Sequence, residues 1–190
     1  MDSKIVFGAV ASLLASGAMF SSTSAMALTP FGEMGIYVGG DNLVTAEYTN
    51  GDTSSIDAGG ELDLSAGIIF PITGALEGQF SVGYRFDTIH ASNADINWRR
   101  YPVEMKAFYK TEKFRFGGGV TEHFNPELSG TGVAAGSVHF DNALGMVIEV
   151  DYSVTDKAYL GLKYTNIDYE VGSVAFNGDS AGLIFGYVFH

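Results

Sequence analysis

The side chains able to do chemistry in this sequence are mostly charged residues that recur at alternate positions, together with four histidines. Glu77, Asp87, Glu104, Asp141, Glu149 and Asp151 share a parity with glycines and small polar residues in their segments, and so do Arg85, Arg100, Lys106, Arg115 and Lys163. Bulky apolar residues occupy the opposite parity. An unpaired charge taken out of water costs several kcal/mol or more. A set this balanced in sign therefore points to an internal network of ion pairs. Such a network serves either as a plug or as the selective lining of a pore. The plug is the preferred reading, because the enclosing structure argued below is narrow.

The second constellation is His139-x-Asp141, with His123 and Glu122. An imidazole oriented by a carboxylate activates a hydroxyl for acyl transfer, the chemistry of lipid-modifying membrane enzymes. Alternation puts His139 and Asp141 on one inner face near a rim, where a plain hydrogen bond is the preferred explanation. No G-x-S-x-G context accompanies them. Four histidines, no cysteine and no paired ligand spacing give no metal set. Gly117-Gly118-Gly119 lacks phosphate-loop spacing and fits close strand packing. No catalytic residue and no cofactor are assigned.

The elements that must position these residues are strands. Period-2 alternation recurs throughout, with no convincing helical period. Eight segments are expected at 31–48, 53–70, 76–90, 97–110, 113–124, 138–152, 157–169 and 179–189, the first two possibly broken at Gly39-Gly40 and Gly59-Gly60. Asn50-Gly51 is a strong hairpin tip. Tight turns are expected at Thr73-Gly74, Thr111-Glu112 and Ser153–Asp156. Loops are expected at 91–96, 171–178 and around Pro126, Gly130, Gly132 and Gly136. Short connections alternating with longer ones match an eight-stranded antiparallel up-and-down transmembrane β-barrel. Pro102 inside the fourth segment marks a bulge, or else a weak seam open to lipid.

Which face is inside follows from volume. Phe80, Val82, Tyr84 and Phe86 oppose Gln79, Ser81, Gly83 and Arg85; Leu144, Met146, Ile148 and Val150 oppose Glu149 and Asp151. An eight-stranded lumen barely holds side chains, so the bulky face belongs against lipid. Aromatics near segment ends suggest two interfacial belts: Phe31, Phe70, Tyr109, Phe114, Tyr152, Tyr159 and Phe189 at one rim, and Tyr48, Phe86, Trp98, Phe124, Phe140 and Tyr164 at the other. Ahead of the barrel, Lys4 precedes an apolar run ending in small residues and Ala25-Met26-Ala27, the pattern of a secretory signal peptide. Cleavage there leaves residues 28–190 as one domain. With 22 acidic and 10 basic residues the chain is unsuited to nucleic acid.

Signal peptide, strand rhythm and the last strand, Leu183-Ile184-Phe185-Gly186-Tyr187-Val188-Phe189, resemble the small OmpA/OmpX-type outer-membrane barrels. Gly39-Gly40-Asp41, Tyr48-Thr49-Asn50-Gly51-Asp52, Ala91-Ser92-Asn93 and Tyr164-Thr165-Asn166-Ile167-Asp168-Tyr169 are similar to proteobacterial outer-membrane β-barrel proteins, over residues 31–189. The resemblance implies the bacterial outer membrane, a monomer, contact with lipid and lipopolysaccharide, and insertion by the barrel-assembly machinery. That machinery reads a C-terminal aromatic strand, here Phe185, Tyr187 and Phe189, followed by His190. It carries no catalytic residues. The function expected is a structural or surface-interaction protein. A lipid A-modifying enzyme, a small-solute channel and a soluble periplasmic barrel are the alternatives.

Overall fold

The computed structural model describes residues 27–47, 52–91 and 93–189. The expected leader through Met26, the Asn50-Gly51 tip with Tyr48, and His190 lie outside the described residues. The strands are β1 (Thr29–Val38), β2 (Asn42–Glu47), β3 (Thr53–Asp57), β4 (Glu61–Thr73), β5 (Leu76–Ala91), β6 (Ala94–Lys110), β7 (Phe114–Gly130), β8 (Gly136–His139), β9 (Ala143–Ser153), β10 (Ala158–Asn166), β11 (Asp168–Val171), β12 (Val174–Asn177) and β13 (Ser180–Val188).

Eight of these, β1, β4, β5, β6, β7, β9, β10 and β13, form a closed antiparallel ring, completed by the β1–β13 and β6–β7 pairings. Closure leaves no ring strand with an unpaired edge, which a bilayer requires of strands. Both ends of the ring's chain and the short turns at Gly74, Thr111–Lys113 and Val154–Lys157 lie at one end. The hairpins β2–β3 and β11–β12, and β8 against the top of β7, stand at the other.

Side-chain direction follows the alternation. Leu64, Val82, Met105, Val120, Leu144, Ile148, Leu162 and Leu183 point outward, and Leu144 is 72% exposed. Asp63, Arg85, Arg100, Glu104, Lys106, Glu149, Asp151 and Lys163 are buried. This is an inverted barrel, apolar outside and ionic inside, and it excludes the soluble alternative.

Glycines let the walls fold as they do. Gly39 (φ +123°) and Gly40 (φ +84°) turn the chain out of β1, and a Cβ on Gly40 would strike the backbone of Gly59. There the Gly59 amide bonds the Gly39 carbonyl at 3.1 Å, and the Ala58 amide bonds that of Asp41 at 2.8 Å. The two irregularities suspected in the sequence are therefore one crossing point.

Three expectations are corrected. The loop expected after Phe124 is strand as far as Gly130, because β7 absorbs a bulge: its register with β6 shifts between Arg99 and Tyr101, and Asn125 takes φ 46°. The extra residue sits opposite Arg100, and pairing across Pro102–His123 is regular, so the bulge is beside Pro102 and not at it. Second, β5 and β6 continue to a tight turn near Asn93 in place of a 91–96 loop, and 171–178 holds most of a hairpin. Third, Phe31, Tyr159, Trp98 and Phe140 belong to no belt, since their side chains are buried inside. The belts that do form include Phe114 with Tyr152 (5.3 Å between ring centroids) and Tyr187 with Phe189 (5.2 Å) at the short-turn end. At the loop end they include Tyr84 with Phe86 (5.2 Å) and Tyr101 (5.4 Å).

Candidate functional site

The lumen is filled in layers. At the short-turn end Arg115 is the centre. It donates from Nε and Nη2 to Asp151 at 3.0 and 2.7 Å, and from Nη1 to Glu77 at 2.9 Å. Its guanidinium lies 4.6 Å from the Phe108 ring centroid and 4.5 Å from that of Tyr159. A planar cation that directs two N–H groups onto one carboxylate oxygen, a third onto another carboxylate, and lies between aromatic faces suits arginine and not lysine. Both rings have room because each lies across a directly opposed glycine, Phe108 over Gly117 and Tyr159 over Gly186.

Above this floor sits a five-membered ionic knot. Lys163 Nζ reaches Glu33 at 2.6 Å, Glu104 at 3.2 Å and Glu149 at 3.4 Å. Lys106 Nζ reaches Glu149 at 2.6 Å and Glu104 at 3.1 Å. Strands β1, β6, β9 and β10 each contribute, so the knot spans the lumen from wall to wall. Tyr159 ties it to the floor by donating to Glu33 at 3.1 Å. A buried charge left unpaired is costly, so a mobile ion in transit would have to disrupt this arrangement.

A third layer holds Asp63, Arg85, Asp87, Arg100 and His123. Arg85 bonds Asp63 at 3.4 Å and Ser180 at 3.3 Å, with its guanidinium 3.8 Å above the Tyr37 ring. Arg100 donates to the Gly60 carbonyl.

An apolar cap closes the loop end. Ile56 and Ala58 from the β2–β3 side, Ile89 and Trp98 from β5 and β6, and Phe140, Ile167 and Tyr169 from beyond β7 and β10 form one cluster. Trp98 packs edge-on to Phe140 and Tyr169 at 5.1 and 5.3 Å and donates from Nε1 to the Ala58 carbonyl at 3.1 Å. Asp179 fastens the cap's base, accepting from Tyr164 at 2.8 Å, Asn166 at 2.8 Å and the Ile167 amide at 3.0 Å. Burial would raise its carboxyl, but those hydrogen bonds hold it below the usual carboxylate range.

Comparison with solved structures finds the same architecture. Neisserial surface protein A matches over 85% of this chain and 95% of its own, with 13% identity and a TM-score of 0.51. Ail, the attachment invasion locus protein of Yersinia pestis, in complex with the heparin analogue sucrose octasulfate, matches over 85% and 97%, with 10% identity and a TM-score of 0.57. The chain has the fold of the small eight-stranded outer-membrane β-barrels. No protein-family model and no curated protein sequence matches it.

Within this barrel the expected network largely assembles: Glu77, Arg85, Asp87, Arg100, Glu104, Lys106, Arg115, Glu149, Asp151 and Lys163 all face the lumen, Glu77 at its mouth. Asp141 does not. It is exposed in the loop after β8, its amide bonded to the Glu170 carbonyl. The alternation does not carry through Phe140–Asn142, where the chain leaves β8 to enter β9. His139 is likewise exposed, on β8 outside the ring, 3.8 Å from Glu127. The His139–Asp141 acyl-transfer pair is therefore not brought together. His123 is fully buried, its Nδ1 2.6 Å from the Tyr169 hydroxyl. Glu33 and Asp63 are the members that the sequence reading left out. Both were signalled by parity, Glu33 by the apolar Met34, Ile36 and Val38 on the opposite face of its own strand and Asp63 by Ser65 and Gly67 on its own face.

Proposed function

We propose that the protein is a structural and surface-interaction barrel of the bacterial outer membrane, with a lumen shut to solutes and a recognition surface at its loop end. The observation that carries this reading is the wall-to-wall knot of Lys106, Lys163, Glu33, Glu104 and Glu149, sealed below by Arg115 and above by the Trp98 cap. Export through cleavage near Ala27 and insertion through the aromatic final strand belong to the same proposal.

The loop end has a definite chemistry. Glu47, Asp52, Asp141, Asp168 and Glu170 are exposed there. Arg99, paired with Glu127 at 2.7 Å, is the one exposed Lys or Arg at that end among the described residues. Lys110, Lys113 and Lys157 lie at the opposite mouth. A surface of this sign suits cationic partners, or lipopolysaccharide bridged through divalent cations, and repels free polyanions. Planar bilayers carrying the purified barrel are expected to stay electrically silent. A reproducible unit conductance would refute the closed lumen and favour a small-solute channel.

A further inference from the structure

The outer wall opens where β10 gives way to β11. The β9–β10 ladder runs up to Asn166 opposite Met146 and stops there. Above it β11 pairs with β12, and it meets the chain ahead of β9 at the Asp141 amide, which bonds the Glu170 carbonyl at 2.9 Å. The break leaves a groove of about 470 Å³ on the outside of the barrel. Its floor is apolar. Leu144 and Met146 point outward, and Leu144 is the most exposed large apolar side chain on the ring strands among the described residues. The upper rim carries Asp141, Asp168 and Glu170, all exposed and none in an ion pair among the described residues. Asn166 directs its side-chain nitrogen to Asp179, at 2.8 and 3.0 Å, and so offers the groove a carbonyl acceptor. No Lys, Arg or His lines the groove.

We propose, resting on the reading of the loop end as a surface for cationic partners, that this groove seats an amine-headed lipid of the outer leaflet. Its acyl chain lies against Leu144 and Met146, and its ammonium sits among Asp141, Asp168 and Glu170. The lining follows the order of an amphiphile standing in a bilayer, with hydrocarbon at the level of the lipid-facing wall and charge above it. The rim carboxylates and the Asn166 carbonyl all accept hydrogen bonds, and a primary ammonium supplies three donors. Opposite charge brings the head to the rim and disfavours anionic heads there. Among the described residues no three carboxylates or imidazoles come together closely enough to hold a metal ion, so acids spread along a rim suit an organic cation. The volume falls within the roughly 300–1,000 Å³ of small-molecule sites. A peptide helix about 10 Å across would bridge such a groove and not enter it.

Met34, Met105 and Met146, the methionines of residues 28–190, all point outward at different places on the wall, and Met146 alone lines the groove. In phosphatidylcholine nanodiscs carrying the barrel with isotope-labelled methionine methyl groups, hexadecylamine is expected to shift the Met146 signal saturably. Hexadecanol, with the same chain and no charge, should not. Met34 and Met105 report the surrounding lipid and should respond alike to both. Asp168→Asn with Glu170→Gln should raise the half-saturating amine concentration about threefold to tenfold, the loss of two exposed ion pairs. Glu47→Gln, an exposed acid on another hairpin, should leave it unchanged. An equal Met146 response to amine and alcohol, or one untouched by the double variant, overturns the proposal. So does a Met146 shift produced by calcium ions alone, or by a cationic amphipathic peptide where hexadecylamine gives none. Silent bilayers with an indifferent Met146 discard the groove and keep the closed barrel, whereas unit conductance with a responsive Met146 does the reverse.

Discussion

Replacing Lys163 by Met tests the ionic knot most directly. Lys163 touches three carboxylates, at 2.6, 3.2 and 3.4 Å, and is 2% exposed. Its loss leaves Glu33, Glu104 and Glu149 to share the single ammonium of Lys106, taking the knot's formal charge from −1 to −2. Removing one partner of a buried ion pair costs about 3–5 kcal/mol. Methionine replaces the stem's volume, so little of that cost is cavity. The double variant Lys163→Met with Glu33→Gln removes one charge of each sign. It keeps an acceptor for the Tyr159 hydroxyl. It should recover about 0.5–3 kcal/mol relative to the sum of the single changes, the range of coupling for residues in one network. Equilibrium unfolding in urea from lipid vesicles measures both, with Trp98 fluorescence and heat-modified gel migration as independent signals. If Lys163→Met lies within about 1 kcal/mol of wild type, or the double variant shows no coupling, the lumen is hydrated enough to screen the charges, and the closed-plug argument fails with it.

Other consequences are equally concrete. Leu162→Arg places a charge on the lipid face, where Leu162 is 63% exposed; near the bilayer midplane this should cost about 2–4 kcal/mol of insertion, whereas Thr53→Arg in the outer hairpin should cost almost nothing, both read from folded fractions in vesicles. Trp98→Ala should cost about 3–5 kcal/mol in the cap, with hydrogen exchange accelerating in residues 52–58 and 167–177 while β9 and β10 keep their protection. Asp179 has a folded pKa below its unfolded one, so its contribution is complete above the usual carboxylate pKa and fades as pH falls through the depressed value. Exchange in β11–β12 should therefore rise on acidification below that range, and Asp179→Asn should reproduce the rise at neutral pH.

Much of this was legible in the sequence because a period of two leaves little ambiguity once one face is bulky. Gln79, Ser81 and Arg85 against Phe80, Val82 and Tyr84 separate inside from outside on the pattern of one strand alone. The errors came where position along a strand was weighed above parity. Trp98 shares its parity with Arg100, Tyr159 with Lys163, and Phe31 with Glu33, so each of these aromatics had to turn inward, although a place near a strand end suggested a belt. Glycine explains how the lumen admits Tyr159 and Phe108, since the opposed Gly186 and Gly117 give up their volume. That exchange depends on register across strands, which one strand's pattern does not carry. The cap was invisible for a related reason: Ile56, Ile89, Phe140 and Ile167 lie far apart in the chain and meet over the opening, with Ile56 carried there by the β2–β3 hairpin that the Gly39–Gly59 crossing anchors. His139 and Asp141 failed differently, because the chain between β8 and β9 is not strand and imposes no alternation.

The wall of the barrel is uneven in height. Strands β6 and β7 run 17 residues each, and β10 and β13 run 9. At roughly 3.3 Å per residue the long pair measures about 56 Å against about 30 Å, and a membrane crossing needs only about 9–11 residues. One side of the protein therefore rises as a crest, with the turn near Asn93 at its summit. A partner approaching from the loop end meets that summit first, and an affinity tag inserted there would stand clear of the lipid while leaving every ring pairing intact.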